Sequence, residues 1–281
     1  MLGLVLQIIP DELPAAEELV NLITDLEPVP RKDVEFILFT RKDVETVDTR
    51  RLVDRLRTKF PRAKGVECWD FATGWPHGPN TMWCALIRQM YNMYRMDEVA
   101  CDGFLSFEAD CIPMKPDWIN VLAQAWEKAK AQGKEATGHF HGPDNYAPTH
   151  MNGNAIFHTQ FWQKHEELTG CHGMQPWDVA FAPTILKVAV DTPVINQWYR
   201  MGSFTNADWD YISKTDCALF HGVKVPDGRR IAREQLVLKQ SWPTTPPATP
   251  ETAIRTSRKR SRRSSSKSPS SSSKSLPSRP R

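Results

Sequence analysis

The 281-residue chain predicts an α/β domain built on a mostly parallel sheet covered by helices on both faces. Three observations carry that expectation. Short apolar runs alternate with stretches of helical periodicity along the first half of the chain. The run Phe104–Phe107, bounded by Asp102-Gly103 before and Pro113 after, is apolar enough for a strand buried on both faces. The length suits one substantial domain rather than two.

The elements follow in order. Residues 2–9 form a continuous apolar run ended by Pro10, and Leu19, Leu22, Ile23 and Leu26 recur at helical spacing over 14–26. A second strand is expected over 33–40. A helix over 49–60 has Leu52, Val53 and Leu56 on one face, and a third strand is expected over 66–71. Right-handed crossovers turn this rhythm into a doubly wound sheet. The Gly/Pro-rich loop 74–80 opens a helix over 81–93, with Asn80 placed as its N-cap. Glycines there would also let backbone approach an anionic ligand. A helix from Pro116 to about Ala131, a strand over 137–140, a polar loop over 139–150 and a helix over 161–168 come next. Strands over 193–201 and 216–225 complete the periphery.

The central run ends in Glu108-Ala109-Asp110. Two acids spaced by two point the same way on an extended chain, at the sheet edge where open α/β folds bind ligands. Without a cation between them they raise each other's pKa; a hard divalent ion bridging to a phosphate removes that penalty. Capping of the loop before Pro113 is the alternative use of the same acids. Downstream, Asn152-Gly153-Asn154 sets amide side chains at a strand entrance, where they can bond hydroxyl groups or simply make a tight turn. Asp178 can cap a helix or act as a base. The spacing of His139, His141 and His150 matches no standard ligand set, so surface histidines are expected there.

Ten of the 36 basic groups and none of the 33 acidic ones fall in residues 255–281, so residues 1–254 carry a formal −7 and the tail +10. Residues 241–281 are expected to form a disordered Pro/Ser/Arg/Lys-rich segment after a domain over 1–240. The stripe Arg258–Arg263 has the composition that binds polyanions, nucleic acid first among them. Six cysteines without a Cys-x-x-Cys pair point to reduced thiols and a cytoplasmic protein. The apolar start lacks the basic flank of a leader and the length of a membrane span.

The order of elements, the Gly78-Pro79-Asn80 helix start, the Glu108-Ala109-Asp110 motif and the late Phe220-His221-Gly222 together resemble nucleotide-sugar glycosyltransferases of the GT-A fold, over residues 1–240. Glu108 stands where that family more often has Asp. The resemblance implies Glu108, Asp110 and His221 as ligands of Mn²⁺ or Mg²⁺ and Asp178 as general base. It implies Lys224 beside the diphosphate leaving group, Gly78 and Asn80 near a donor such as UDP-glucose, Asn152 and Asn154 as sugar contacts, and Trp177 as an aromatic face for a sugar ring. With the basic tail, it suggests sugar transfer to a modified DNA base, as in a viral or phage enzyme of the host cytoplasm. A nucleotidyltransferase of related fold is disfavoured by the acidic, glycine-free 10–14 segment after the first strand. A non-catalytic nucleic-acid-binding protein is disfavoured by the negative charge of residues 1–254.

Overall fold

The computed structural model describes residues 1–143, 147–170, 174–197 and 203–238. The basic tail falls outside the described residues, as do 144–146 of the polar loop, 171–173, and 198–201 of the strand expected over 193–201.

The strands are β1 (Leu2–Ile8), β2 (Glu35–Arg41), β3 (Lys64–Cys68), β4 (Gly103–Glu108), β5 (Ile112–Pro113), β6 (Ala136–His141), β7 (His150–His158), β8 (Ala189–Asp191), β9 (Ile195–Gln197) and β10 (Leu219–His221). Seven of them form the main sheet in the order β3-β2-β1-β4-β7-β6-β8, and the other three form a second sheet in the order β5-β10-β9. β1 pairs in parallel with β2 and β4, β2 with β3, and β6 with β8. β7 runs antiparallel to both β4 and β6. The parallel expectation therefore holds for four of six ladders in the main sheet. β7 departs from it because only eight residues separate His141 from its partner His150, too few for the crossover that parallel pairing needs.

Alternate residues of the central strands enter two separate cores. Leu4, Leu6, Phe36, Leu38, Leu105 and Phe107 pack on one face, beneath helices α1 (Leu13–Leu26), α2 (Thr46–Arg57) and α4 (Trp118–Ala131). Val5, Ile37, Phe39 and Phe104 pack on the other, against α3 (His77–Arg95), α5 (Phe161–Lys164), α6 (Trp177–Ala180) and α7 (Ala182–Val188). Burial on both faces is why these strands are unbroken apolar runs. At Gly103 a Cβ would overlap the Trp126 ring, so β4 starts on the one residue that lets α4 lie this close.

Several boundaries differ from the sequence reading. α3 begins at His77, which places Asn80 inside its first turn and not at the N-cap. β3 ends at Cys68, leaving Trp69 and Phe71 beyond the sheet. The 161–168 helix is a four-residue turn followed by a 3-10 turn over Glu166–Gly170. β10 is shorter than expected, β9 begins at Ile195, and α8 (Asn206–Ile212) lies between them in sequence. α9 (Pro226–Arg233) starts where Pro226 presets helical geometry. No described helix is long and apolar enough to cross a membrane.

Candidate active site

β4 delivers its acids to the carboxyl edge of the main sheet. Phe104–Phe107 are fully buried, Glu108 ends the strand, and a turn closed by the Cys111 amide on the Glu108 carbonyl (3.1 Å) carries Asp110. β5 follows at once and pairs antiparallel with β10. That short pairing returns a residue 113 positions away in sequence to the acids, and the Val223 amide fastens the return by donating to the Asp110 carbonyl (2.9 Å).

The result is a compact triad. His221 Nε2 lies 3.0 Å from Glu108 Oε2 and 3.1 Å from Asp110 Oδ1. One candidate ligand atom from each residue lies within 4.8 Å of the others, the only such group of His, Cys, Asp or Glu side chains among the described residues. On the far side of the ring, Nδ1 lies 3.1 Å from Gln197 Oε1. An amide oxygen only accepts, so Nδ1 carries the proton and Nε2 is the atom presented to the acids.

The electrostatics are strained in a way that a dication relieves. Burial would lower the His221 pKa, but hydrogen bonds and charge from Asp110 and Glu108 overcome it and push the ring up to about 10. Burial raises Asp110, while its hydrogen bond to His221 and the charges of His221 and Lys224 bring it below the usual carboxylate range. Glu12, just after β1, is raised to about 7 by burial and then by the charges of Glu108 and Asp110. Asp110 Oδ1 is buried, and besides His221 Nε2 at 3.1 Å no hydrogen-bond partner reaches it. Two carboxylate oxygens and an imidazole nitrogen gathered within 4.8 Å of one another suit a hard divalent cation such as Mn²⁺ or Mg²⁺.

The amide pair lies behind this turn. Asn154 Oδ1 accepts from the Glu108 amide (2.9 Å) and from Cys111 Sγ (3.1 Å). Asn152 Oδ1 in turn accepts from the Asn154 amide (2.8 Å) and its side-chain Nδ2 (3.2 Å). Both residues are buried, and their side-chain oxygens hold the acid turn and the Asn152–Asn154 pair together.

Asn80 and Trp177 are likewise committed to the protein. The Asn80 side chain donates to the Gln175 carbonyl (3.0 Å) and accepts from the Trp177 amide (2.7 Å), using both ends of its amide. The Trp177 ring is buried, stacked on Trp83 at 3.9 Å and 10°, and it abuts Gly153. It is a wall and not a free face for a sugar ring. Gly78 is buried, and a Cβ there would meet Ala72 and Thr73 only at ordinary contact distance, 3.5 Å or more. Asn80 and Trp177 thereby set where α6 begins, and with it Asp178.

Asp178 sits in the first turn of α6, with Oδ1 accepting from the Val179 amide (3.0 Å). Burial raises its pKa, the Glu108 charge adds to this, and the His150 charge opposes it. The carboxyl is thus within electrostatic reach of the triad. His150, expected at the surface, is buried, and its Nδ1 donates to the Pro148 carbonyl (2.8 Å). Lys224 enters the same field through its charge on Asp110 and Glu12.

Two residues of the site escaped the sequence reading. Glu12 was visible only as an acidic residue in the first loop. Gln197 carried no local signal, since its role exists only once β9 pairs with β10.

The structure shares its fold with an active-site mutant of LgtC, at a TM-score of 0.52 and 9% identity, covering 84% of this chain and 95% of that one. Also similar are the galactosyltransferase LgtC in complex with donor and acceptor sugar analogs (TM-score 0.49, 10% identity, 83% and 95% covered) and the mannosyltransferase PcManGT from Pyrobaculum calidifontis in complex with GDP-Man and Mn²⁺ (TM-score 0.45, 17% identity, 68% and 54% covered). No family model matches the chain, and no curated protein sequence matches it. The fold is GT-A.

Proposed function

We propose that this chain is a metal-dependent glycosyltransferase that moves a sugar from a nucleotide-diphosphate donor to an acceptor hydroxyl. The observation that carries the reading is the meeting of Glu108, Asp110 and His221 at the carboxyl edge of a GT-A sheet, three groups drawn together from two separate sheets.

Glu108, Asp110 and His221 would hold the divalent cation. When bound, the cation supplies positive charge that offsets the diphosphate and the further charge that develops as it leaves. Lys224 supplies a second positive charge on the same side. Asp178, whose pKa is raised by burial, accepts the proton of the acceptor hydroxyl as its oxygen attacks the anomeric carbon. Asn154 keeps the Glu108 backbone in place during this, and Asn80 with Trp177 does the same for Asp178.

A DNA base as acceptor rests on the basic stripe of residues 255–281 alone. The fold lends no support to nucleotidyl transfer as the alternative.

The test is a panel of nucleotide sugars incubated with the full chain and Mn²⁺, scored for donor hydrolysis. Release of nucleotide diphosphate from at least one donor, lost in Asp110→Ala, is expected. Turnover of no donor rejects the reading.

A further inference from the structure

The loop that leads from β3 into α3 is unusual on this surface. Between residues 69 and 75 it exposes Trp69 (78%), Phe71 (47%) and Trp75 (73%). Single exposed hydrophobic residues need no explanation, but three large aromatic rings on one short loop do. Met174 (85% exposed) precedes Gln175, whose carbonyl accepts from Asn80 in the first turn of α3.

The charges around these rings are mostly paired. Arg41 lies over the Phe71 ring at 5.4 Å and is held by both oxygens of Asp43, at 2.7 and 2.8 Å. Arg88 is held by Asp70. Lys42 lies over the same Phe71 ring, 4.8 Å from its centroid. A strand of nucleic acid would call for a row of unengaged cations along its phosphates. Flat aromatic faces edged by paired guanidinium and carboxylate groups offer instead apolar contact together with donors and acceptors in both senses, which suits a neutral polyhydroxylated ligand.

The position is equally specific. Arg41 pairs in register with Cys68, so Trp69 emerges at the same sheet edge as Glu108, three strand spacings or roughly 14 Å away. Asp11 and Glu12 follow β1, the strand between β2 and β4, and their charges act on Arg41.

We propose that the loop Trp69–Trp75 is a binding platform for a neutral saccharide chain, held beside the reaction cleft by stacking on Trp69 and Trp75. Its connection to catalysis, as the hold on an extended acceptor, rests on the glycosyltransferase reading; the binding itself does not. Both rings lie outside the triad and outside the buried core.

The test compares the full wild-type chain with a Trp69→Ala/Trp75→Ala double variant on an array of neutral and anionic oligosaccharides. UDP and oligothymidylate binding are followed in parallel by fluorescence anisotropy of labelled probes, and donor hydrolysis and the melting temperature are measured on both proteins. The expected result is retention of a neutral oligosaccharide by the wild type, weakened roughly tenfold or more in the variant, with melting temperature and donor hydrolysis unchanged. Retention of no neutral oligosaccharide, or equal retention by both proteins, overturns the proposal. So does a loss of UDP or oligothymidylate binding in the variant, which would make the rings a nucleotide surface. If saccharide binding is lost in the variant while neither protein hydrolyses any donor, the platform stands and the transferase reading falls.

Discussion

Gln197 and His221 are register partners on adjacent parallel strands, with Gln197 Oε1 3.1 Å from His221 Nδ1. That contact turns the other ring nitrogen toward Glu108 and Asp110 and keeps it there without a cation. A histidine that coordinates metal commonly leans on such a partner, and loss of the partner weakens metal binding by about 10- to 100-fold. Gln197→Leu is therefore expected to weaken Mn²⁺ binding by that factor, read by electron paramagnetic resonance of free Mn²⁺. Unchanged affinity would leave Gln197 as packing only.

Glu12 makes the metal-free site pH-sensitive. Its folded pKa of about 7 lies above its usual 4.5, so the folded state binds the extra proton between those values and loses stability as pH rises through that window. The loss is at most on the order of 3 kcal/mol at pH 8, at about 1.4 kcal/mol for each pH unit separating the two pKa values. Glu12→Gln should stabilise chelator-treated protein by up to that amount at pH 8 and leave it unaffected at pH 4. Urea unfolding at both values checks this; a pH-independent difference contradicts it.

Asn154 should matter to both stability and the site. Asn154→Leu leaves the Glu108 amide without its acceptor in a buried position, at a cost of about 1–3 kcal/mol. Chemical denaturation measures the loss, and Mn²⁺ affinity should fall with it because the acid turn loosens. A variant that is destabilised but binds Mn²⁺ normally would separate the amide from the site.

Asp178→Asn should lower kcat by about 10²- to 10⁴-fold while leaving donor affinity within a few-fold. Steady-state kinetics with the best donor and acceptor from the screen will decide. A fall in donor affinity with kcat intact would assign Asp178 to binding.

What could be read beforehand depended on whether a feature was local. The apolar run that stops at Glu108 gave away β4 and its acids, because burial on both faces leaves an unambiguous composition. Asp178 was locatable as an acid at a helix start. His221 joined the acids only through resemblance, since its approach depends on the two-residue strand β5, too short to register as a pattern. Asn80 and Trp177 were read as ligand contacts, and their partners within the protein escaped that reading for a related reason. Asn80 bonds the Gln175 carbonyl and Trp177 stacks on Trp83, partners nearly a hundred positions away along the chain. β7 reversed direction on a loop whose length, and not its composition, excluded a crossover.

Shared binding of one divalent cation by Glu108, Asp110 and His221 is the feature on which the proposed chemistry depends. Titrating the full chain with Mn²⁺ by electron paramagnetic resonance, beside Asp110→Asn and His221→Ala variants of matched melting temperature, tests it most directly. A saturable site in the wild type that both variants lose is the predicted result. Equal Mn²⁺ binding by all three proteins, or none by the wild type with or without a nucleotide diphosphate, would contradict it.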